Sequence, residues 1–309
     1  MIATVTLNPA LDKTVFVEGL QVGDTNRVRK VELDAGGKGI NASRMLAVLG
    51  EETIALGFVG GRAGRFITSD LAEEGIPTDF VQTRVETRTN VAIEDLNGNP
   101  PTTLNEKGGP ILPEELEQLK EKIKYWAGRS RIMIFAGSIP QGIDTGIYRD
   151  LIAMAQKEGA QAILDADGEP LILGIESHPV MIKPNRAEAE RICGKKLTAT
   201  EDVAEAAKNR VQQGVEIVVV SMGKHGAVAA TKDEVWHAVP PSVETISTIG
   251  SGDSMVAGIA AAIARGETLA QALALGSAAG AATAMSSGVE MGKRADIDRL
   301  LPNVILKRM

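Results

Sequence analysis

Ile132-Met133-Ile134-Phe135-Ala136 begins a regular alternation of apolar strand patterns and amphipathic helix patterns. A helix pattern at 145–157 follows this run directly. The rest of the series, in chain order, is a strand at 162–164, a strand at 180–182, a helix at 186–192, a helix at 201–213 and a strand at 217–220. Strands that alternate with helices build a parallel sheet through right-handed crossovers. The sequence therefore predicts an α/β fold with a mostly parallel sheet.

The N-terminal third adds to this sheet and then interrupts it. Buried strand patterns at 2–7 and 53–59 flank a helix pattern at 40–49. Other short stretches alternate between apolar and polar residues, as half-exposed strands do. These stretches are 15–17, 27–33, 89–93 and 102–104, the last two around the hairpin signal Asn97-Gly98.

The half-exposed strands fall in two patches, at about 12–34 and 87–104, within a single domain over 1–309. We predict that they form a small β-sheet lid over the C-terminal edge of the main sheet, because alternating strands cover one face only. The outer face of such a lid must be polar or buried. A homodimer formed lid to lid is one way to bury it.

Composition narrows the classes of partner. The formal net charge is −7 and there is no basic tract, so neither nucleic acid nor an anionic membrane is an expected partner. Cys193 is the single cysteine, which rules out an intrachain disulfide and a thiolate zinc site and suits a reducing, cytoplasmic location. The N-terminus lacks the pattern of a signal peptide. Arg265 and Glu267 break the apolar C-terminal region, so we expect no membrane span.

Ile249-Gly250-Ser251-Gly252-Asp253-Ser254 precedes an Ala/Gly-rich helix pattern at 255–264. A Gly-x-Gly loop that opens a helix aims backbone N–H groups at one point, where the helix dipole also favours an anion. Asp253 would repel that anion unless it accepts a proton from a hydroxyl. The combination indicates phosphoryl transfer with a built-in base. The alternative is an ordinary loop in which Asp253 is only a helix N-cap.

Gly36-Gly37-Lys38-Gly39-Ile40-Asn41 enters the predicted helix at 40–49. Its glycines let the backbone approach a ligand, and Asn41 adds a side-chain donor and acceptor. The spacing is neither that of a Walker A loop nor that of a dinucleotide-binding fingerprint. A flexible turn is the alternative.

Two more loops follow predicted strands, where ligands bind in open α/β sheets. In Asn8-Pro9-Ala10-Leu11-Asp12, the Asp12 carboxylate can accept hydrogen bonds from sugar hydroxyls. Gly137-Ser138-Ile139-Pro140 lies at the same predicted edge, and plain turns explain both loops equally well. The cations expected in or beside the lid are Arg27, Lys38 and Arg88, of which arginine suits bidentate phosphate capture.

The C-terminal half offers candidates for a nucleotide and its metal. Asn185 and Glu188 lie three residues apart at a helix start, and Asp165 ends a strand. Such oxygen donors suit Mg²⁺ held mostly through water, although the Asn185–Glu188 pair also fits a capping box. In Ser221-Met222-Gly223-Lys224-His225-Gly226 the glycines permit close approach of a nucleotide, or simply make a turn.

Taken together, residues 36–41 and 249–254 resemble the signature of the ribokinase-like, PfkB-type carbohydrate kinase family, and the resemblance covers essentially the whole chain. It implies a three-layer α/β/α domain with a small β-sheet lid. It implies that Asp253 is the base and that the amides from Gly250 through Ser251 and Gly252 to Asp253 hold the anion. The resemblance further implies a sugar site of Asp12, Gly37, Lys38, Gly39, Asn41 and Ser138, with Arg27 and Arg88 near the phosphate. For ATP it implies Lys183, Asn185, Ser221, Gly223 and Gly226, and for Mg²⁺ it implies Asp165, Asn185 and Glu188.

The opening residues 6–12 and the stretch 86–91 are similar to the branch of this family that acts on phosphorylated sugars. Residues 104–108, Leu-Asn-Glu-Lys-Gly, are similar to 1-phosphofructokinases. The resemblance implies transfer from ATP to the 6-hydroxyl of fructose 1-phosphate, with tagatose 6-phosphate as the close alternative. Asp165-Ala166-Asp167-Gly168 departs from the family pattern by the extra acid Asp167. A non-catalytic sugar-phosphate sensor and a kinase for nonphosphorylated sugars are the competing hypotheses.

Overall fold

A computed structural model describes residues 1–288 and 290–309. The strands are β1 Ile2–Thr6, β2 Ala10–Val17, β3 Val28–Gly36, β4 Thr53–Gly60, β5 Val81–Thr83, β6 Arg88–Asp95, β7 Thr102–Asn105, β8 Ile132–Ala136, β9 Gln161–Asp165, β10 Met181–Ile182, β11 Ile217–Ser221, β12 Ala227–Ala230, β13 Val235–Val239 and β14 Ile305–Arg308. The helices are α1 Lys38–Val48, α2 Gly61–Glu73, α3 Pro113–Ala127, α4 Ile147–Lys157, α5 Gly168–Ile175, α6 Arg186–Cys193, α7 Thr200–Val211, α8 Ser251–Arg265, α9 Leu269–Ala284 and α10 Arg294–Leu300.

The main sheet has ten strands within the described residues, in the order β14-β13-β12-β11-β10-β9-β8-β1-β4-β5. Pairing is parallel from β11 to β5 and antiparallel from β11 to β14. Parallel pairing brings the C-terminal ends of the strands to one edge, where the loops of an α/β protein gather. The predicted α/β fold with a mostly parallel sheet is confirmed.

Helices cover both faces of this sheet because its central strands are apolar on both sides. In β1, Ala3 and Val5 pack in the cluster that contains α3, α4 and α7, whereas Ile2 packs in the cluster that contains α1, α8 and α9. The side chains of consecutive strand residues point to opposite faces of the sheet. A continuous apolar strand therefore contributes to the hydrophobic core on each face. The three-layer arrangement follows. No helix in the described ranges has the length and apolarity that crossing a bilayer requires.

The lid sheet consists of β2, β3, β6 and β7 in the order β3-β2-β6-β7. Its strands lie in or beside the two patches predicted from alternation. One difference bears on the site. Residues 10–12, expected in a loop after the first strand, belong to β2, so Asp12 projects from the lid sheet itself.

The two faces of the lid sheet differ in chemistry. Asp12 pairs with Asp34 on one side and with Asn90 on the other, which makes this face polar. The opposite face is mainly apolar: Val31, Leu33 and Leu104 on it are 47%, 43% and 58% exposed, and Lys13 lies opposite Leu33. Residues directly opposite one another on neighbouring strands share a face, so the register fixes which side chains accompany which.

Candidate active site

Asp253 lies in the first turn of α8 and is 9% exposed. The N-cap of α8 is Gly250, whose φ of 73° places it in the left-handed region that glycine adopts readily. The Asp253 carboxylate does not cap the helix. It accepts a hydrogen bond of 2.8 Å from the side-chain amide of Asn41, at the start of α1. The ordinary-loop alternative for this motif is therefore wrong, and the two glycine-rich motifs meet.

The backbone amides around Asp253 are partly free. The Ser251 amide donates to the Thr248 carbonyl at 3.4 Å, so it is engaged within the loop. Among the described residues, no backbone or side-chain acceptor takes the amides of Gly252 and Asp253. A helix start with unpaired N–H groups attracts an anion through both hydrogen bonding and the helix dipole. Of the four amides predicted to hold the anion, that of Ser251 is therefore engaged elsewhere, and the anion hole stays a prediction.

The environment of Asp253 raises its pKa to about 6. Burial is the largest cause because a carboxylate loses hydration there, and the nearby negative charge of Asp165 acts in the same direction. The Asn41 hydrogen bond and the ammonium groups of Lys38 and Lys183 oppose the rise. A general base is most effective when its pKa lies near the working pH. Asp253 is then mostly ionised at neutral pH yet basic enough to accept a proton.

Asp165 is 1% exposed and forms ion pairs with two lysines. Lys38 Nζ lies 2.9 Å from Oδ1, and Lys183 Nζ lies 3.4 Å from Oδ2. Burial alone would raise the pKa of Asp165, but the two ammonium groups outweigh it and hold the pKa below the usual value. Both carboxylate oxygens therefore face cations, and the predicted influence of Asp165 on the metal stays a prediction.

Asn185 and Glu188 form the capping box of α6. Asn185 Oδ1 accepts from the Glu188 amide at 2.9 Å, and Glu188 Oε2 accepts from the Asn185 amide at 2.7 Å. Asp167, the extra acid, pairs with Arg191 at 2.7 Å on the surface. Over residues 1–288 and 290–309, no three His, Cys, Asp or Glu side chains come together as a metal-binding group. A metal held directly by several protein ligands does not fit. A role through water for Asn185 and Glu188 stays a prediction.

The acceptor side is organised around Asp12 on β2. Asn90 Nδ2, on the adjacent strand β6, donates to Asp12 Oδ1 at 2.8 Å. A Cβ atom on Gly36 would lie 2.1 Å from Asp12 Oδ2, so the glycine makes room for the carboxylate. Burial raises the pKa of Asp12. Asn90 Oδ1 is buried and has no partner among the described residues, which leaves an acceptor beside Asp12.

Arg88 lies at the start of β6 and hydrogen-bonds to the loops that contain Asn8 and Glu106. Its Nε and Nη2 donate to the Asn8 carbonyl at 3.2 and 3.0 Å, and its Nη1 donates to the Glu106 carbonyl at 2.9 Å. A guanidinium has five N–H groups. One N–H on each Nη atom is left, so Arg88 can hold the loops and still donate to a phosphate. Its predicted phosphate contact stays a prediction.

Asn8 and Ser138 connect the loops after β1 and β8. Asn8 Nδ2 donates to Ser138 Oγ at 3.1 Å and to the Lys107 carbonyl at 3.2 Å. The Ser138 hydroxyl is exposed and can still donate. This places the predicted sugar ligand Ser138 on the same side as Arg88, which also bonds the Asn8 carbonyl.

Arg27 lies elsewhere. Val17 pairs with Val28, whereas Ala10 pairs with Gly36, so Arg27 precedes β3 at the end of the lid sheet away from Asp12. The seven residue-to-residue steps from Ala10 to Val17 span about 23 Å along a strand. Within one chain, Arg27 and Arg88 lie at opposite ends of the lid sheet, and the predicted phosphate contact of Arg27 stays a prediction.

Several predicted glycines have packing roles. A Cβ on Gly39 would lie 2.4 Å from Thr6 Oγ1, and one on Gly226 would lie 1.8 Å from the Ala238 carbonyl oxygen. These two positions are glycine because helix α1 packs on β1 and β12 packs on β13. The predicted ligand contacts of Gly39 and Gly226, which would be made by the backbone, stay predictions. Gly37, with φ of 132°, turns the chain from β3 into α1.

Gly223 differs from these glycines. It has a φ of 59°, and nothing lies within 4 Å of the position a Cβ would take. It follows Ser221, whose amide bonds the Pro184 carbonyl at 3.1 Å and so joins the ends of β11 and β10. The predicted nucleotide residues Lys183, Asn185, Ser221 and Gly223 therefore share one stretch of the sheet edge.

Known proteins resemble this chain over nearly its whole length. The family model "pfkB family carbohydrate kinase" matches residues 5–294. A 1-phosphofructokinase of Bacillus subtilis (strain 168) is 36% identical over 314 residues, which cover 100% of both chains. The chain belongs to the pfkB family of carbohydrate kinases. It is accordingly a phosphotransferase with an alcohol acceptor, as the resemblance predicted.

Solved structures of pfkB kinases place the same fold around ligands. Phosphofructokinase-2 from Escherichia coli, solved with substrates and products, has a TM-score of 0.93 and 30% identity, with 98% of each chain covered. A tetrameric inhibited form of phosphofructokinase-2 has also been solved, so oligomers occur among the relatives of this kinase. A ribokinase of Arabidopsis thaliana, solved with ribose and ATP, has a TM-score of 0.78 at 21% identity, covering 97% and 98% of the two chains. It shows the ribokinase-like fold.

Proposed function

We propose that this pfkB kinase transfers the γ-phosphoryl group of ATP to the 6-hydroxyl of fructose 1-phosphate. The observation that carries the proposal is the buried Asp253 carboxylate beside unpaired helix-start amides. The acceptor would lie between Asp253 and the Asp12–Asn90 pair. The 1-phosphofructokinase relative supports fructose 1-phosphate and does not favour the tagatose 6-phosphate alternative.

Asp253 acts as the base in this proposal. Its carboxylate takes the proton of the attacking hydroxyl, and Asn41 orients it through the 2.8 Å hydrogen bond. Asp12 and the free Asn90 Oδ1 accept hydrogen bonds from other sugar hydroxyls, which fixes the ring relative to Asp253. The acceptor's phosphate is bound by the N–H groups of Arg88 that the loops leave free. A non-catalytic sensor would have no use for a buried base with a raised pKa.

Negative charge develops on the γ-phosphoryl group during transfer, and the N-terminus of α8 can stabilise it. The amides of Gly252 and Asp253 point there, and Lys183 adds a cation. Mg²⁺ fits as a hydrated ion rather than a fully protein-bound one. Glu188 Oε2 is engaged in the capping box, but Oε1 has no hydrogen bond among the described residues and can accept one from a metal-bound water. When bound, the metal would neutralise phosphate charge.

We also propose that two copies associate through the apolar face of the lid sheet. Val31, Leu33 and Leu104 expose about half of their surface on this face, which is unfavourable for a lone molecule in water. A second copy offers the same apolar face in return, so a two-fold dimer would bury both.

The proposed reaction is tested by release of ADP on fructose 1-phosphate, fructose 6-phosphate and tagatose 6-phosphate, measured side by side with ATP and Mg²⁺. We expect the highest kcat/KM on fructose 1-phosphate, and product analysis should show fructose 1,6-bisphosphate. A preference for either of the other acceptors would overturn the substrate assignment. Tight sugar-phosphate binding without any ADP release would favour the sensor hypothesis.

A further inference from the structure

Asp165, at the end of β9, joins segments that are distant in sequence. Lys38 begins α1, and Lys183 follows β10. The side chain of Asp165 is 1% exposed and that of Lys183 is 5% exposed, so this ion pair is shielded from water. The side chain of Lys38 is 35% exposed, so it is less shielded than Lys183. The two ammonium groups share the single carboxylate of Asp165.

The two lysines face different parts of the site. Lys183 Nζ lies 3.4 Å from where a Cβ on Gly252 would be, next to the unpaired amides of α8. Lys38 shares the first turn of α1 with Asn41, the hydrogen-bond partner of Asp253. An ammonium on a long, flexible stem needs a partner to hold it in one place. In the described part of the chain, Asp165 is the carboxylate within ion-pair distance of both.

We propose that Asp165 is a positioning residue, which fixes Lys183 beside the helix-start amides and Lys38 at the start of α1 so that both cations are preset for the phosphates. This inference deepens the proposed function and rests on it for the identity of the anion. It assigns Asp165 a role through lysines, in place of the role through Mg²⁺ that the family resemblance implied.

The two roles predict opposite effects when nucleotide binds without metal. A carboxylate that acts only through Mg²⁺ repels metal-free ATP, so its neutralisation would leave binding unchanged or tighten it. A carboxylate that holds two lysines acts differently. Its loss leaves the Lys183 ammonium buried without its carboxylate partner, so the ammonium no longer stays in one place beside the amides. Metal-free ATP would then bind more weakly.

The experiment is calorimetric titration of the full-length protein with ATP in excess EDTA. We expect Asp165→Asn to weaken binding about tenfold, the size of a lost hydrogen bond to a charged group. Asp167→Asn is the matched control, since Asp167 lies two residues away, pairs with Arg191 and is 54% exposed. We expect that variant to bind ATP as the parent protein does. Unchanged or tighter binding by Asp165→Asn would overturn the proposal.

A double-mutant cycle with Lys183→Met tests whether Asp165 acts through Lys183. The effect of Asp165→Asn should largely disappear in the Lys183→Met background, whereas a fully additive loss would overturn the proposal. The double variant removes both members of the buried pair. If Asp165→Asn alone fails to fold, equal ATP affinities of Lys183→Met and the double variant support the proposal, and unequal ones oppose it.

Turnover provides a second readout. The Mg²⁺ concentration for half-maximal activity should stay the same in Asp165→Asn while kcat falls. A rise in that Mg²⁺ concentration without a loss of metal-free ATP binding would show that Asp165 acts through the metal and would overturn the proposal. The EDTA titrations involve no sugar, so a wrong substrate assignment leaves their outcome intact and is detected separately by the acceptor comparison.

Discussion

The side-chain amide of Asn41 donates a 2.8 Å hydrogen bond to Asp253 across a separation of 212 residues. This bond links the glycine-rich start of α1 to the glycine-rich start of α8. Both residues are buried, so the bond is shielded from competing water. The amide fixes the direction in which the carboxylate presents its second oxygen. The proposed base is thus positioned by the element that also carries Lys38.

Asp253→Asn should strongly reduce turnover while leaving the ligands bound. Loss of a positioned general base typically lowers the rate about 10²- to 10⁴-fold. The volume of the side chain is conserved, and the amides of α8 remain, so Kd for ATP and for fructose 1-phosphate should change little. Steady-state assays of ADP release measure kcat, and calorimetric titration measures Kd for both ligands. A variant with near-normal kcat would show that Asp253 is not the base.

The pH profile should report the raised pKa of Asp253. The base works when deprotonated, so kcat/KM should fall as the pH drops through about 6. The charged groups that set this value are Asp165, Lys38 and Lys183. A sugar phosphate also titrates with a pKa of about 6. The residual activity of Asp253→Asn supplies the control, because its profile retains the substrate's titration and lacks that of the base. Parallel profiles for the two proteins would contradict the assignment.

The same pKa shift makes a prediction for stability. The folded-state pKa of Asp253 is about 6, above the ordinary value of 3.8, so the folded protein binds more protons between these pH values. Its stability therefore decreases as the pH rises from 4 to 6. Asp253→Asn lacks this loss, so its free energy of unfolding at pH 8 should be higher by up to about 3 kcal/mol. Its urea midpoint at that pH should rise accordingly. The difference should shrink toward pH 4, and a constant difference would refute the linkage.

Site residues could be predicted from the sequence where they belong to a short local motif. Glycine-rich loops at strand ends marked 36–41 and 249–254, and the structure brings them together through Asn41 and Asp253. The alternation of the lid strands was equally visible. Asn90 was missed as a ligand candidate, although it lies two positions after Arg88 in an alternating strand and so shares its face.

Other features depend on tertiary pairing and could not be predicted. Arg27 belongs to the same patch as Asp12, but only the antiparallel register shows that it lies at the far end. Gly39 and Gly223 look alike in sequence, since a glycine needed for packing and one open to a ligand have the same side chain. The lysine partners of Asp165 lie in separate segments that meet only when the sheet forms.

Gly36→Ala should impair the acceptor site selectively. Its new methyl group would lie 2.1 Å from Asp12 Oδ2, and Asp12 must leave Asn90 to avoid it. We expect KM for the sugar phosphate to rise about tenfold or more, as when a hydrogen bond to a charged group is lost, while KM for ATP stays the same. Gly128→Ala is the matched control, because the nearest atom there is 4.0 Å away and its φ is −66°. Equal changes in both KM values would indicate general damage instead.

Leu33→Asp should dissociate the proposed lid dimer. Leu33 is 43% exposed on the apolar face, and a carboxylate there would meet apolar side chains of the second copy. Sedimentation velocity should show the parent protein at twice the chain mass and the variant at the chain mass of 32.5 kDa. Ile172→Asp is the control, since Ile172 is 51% exposed on α5 rather than on the lid sheet. A monomeric parent protein, or a Leu33→Asp variant that stays dimeric, would mean that this face does not join two copies.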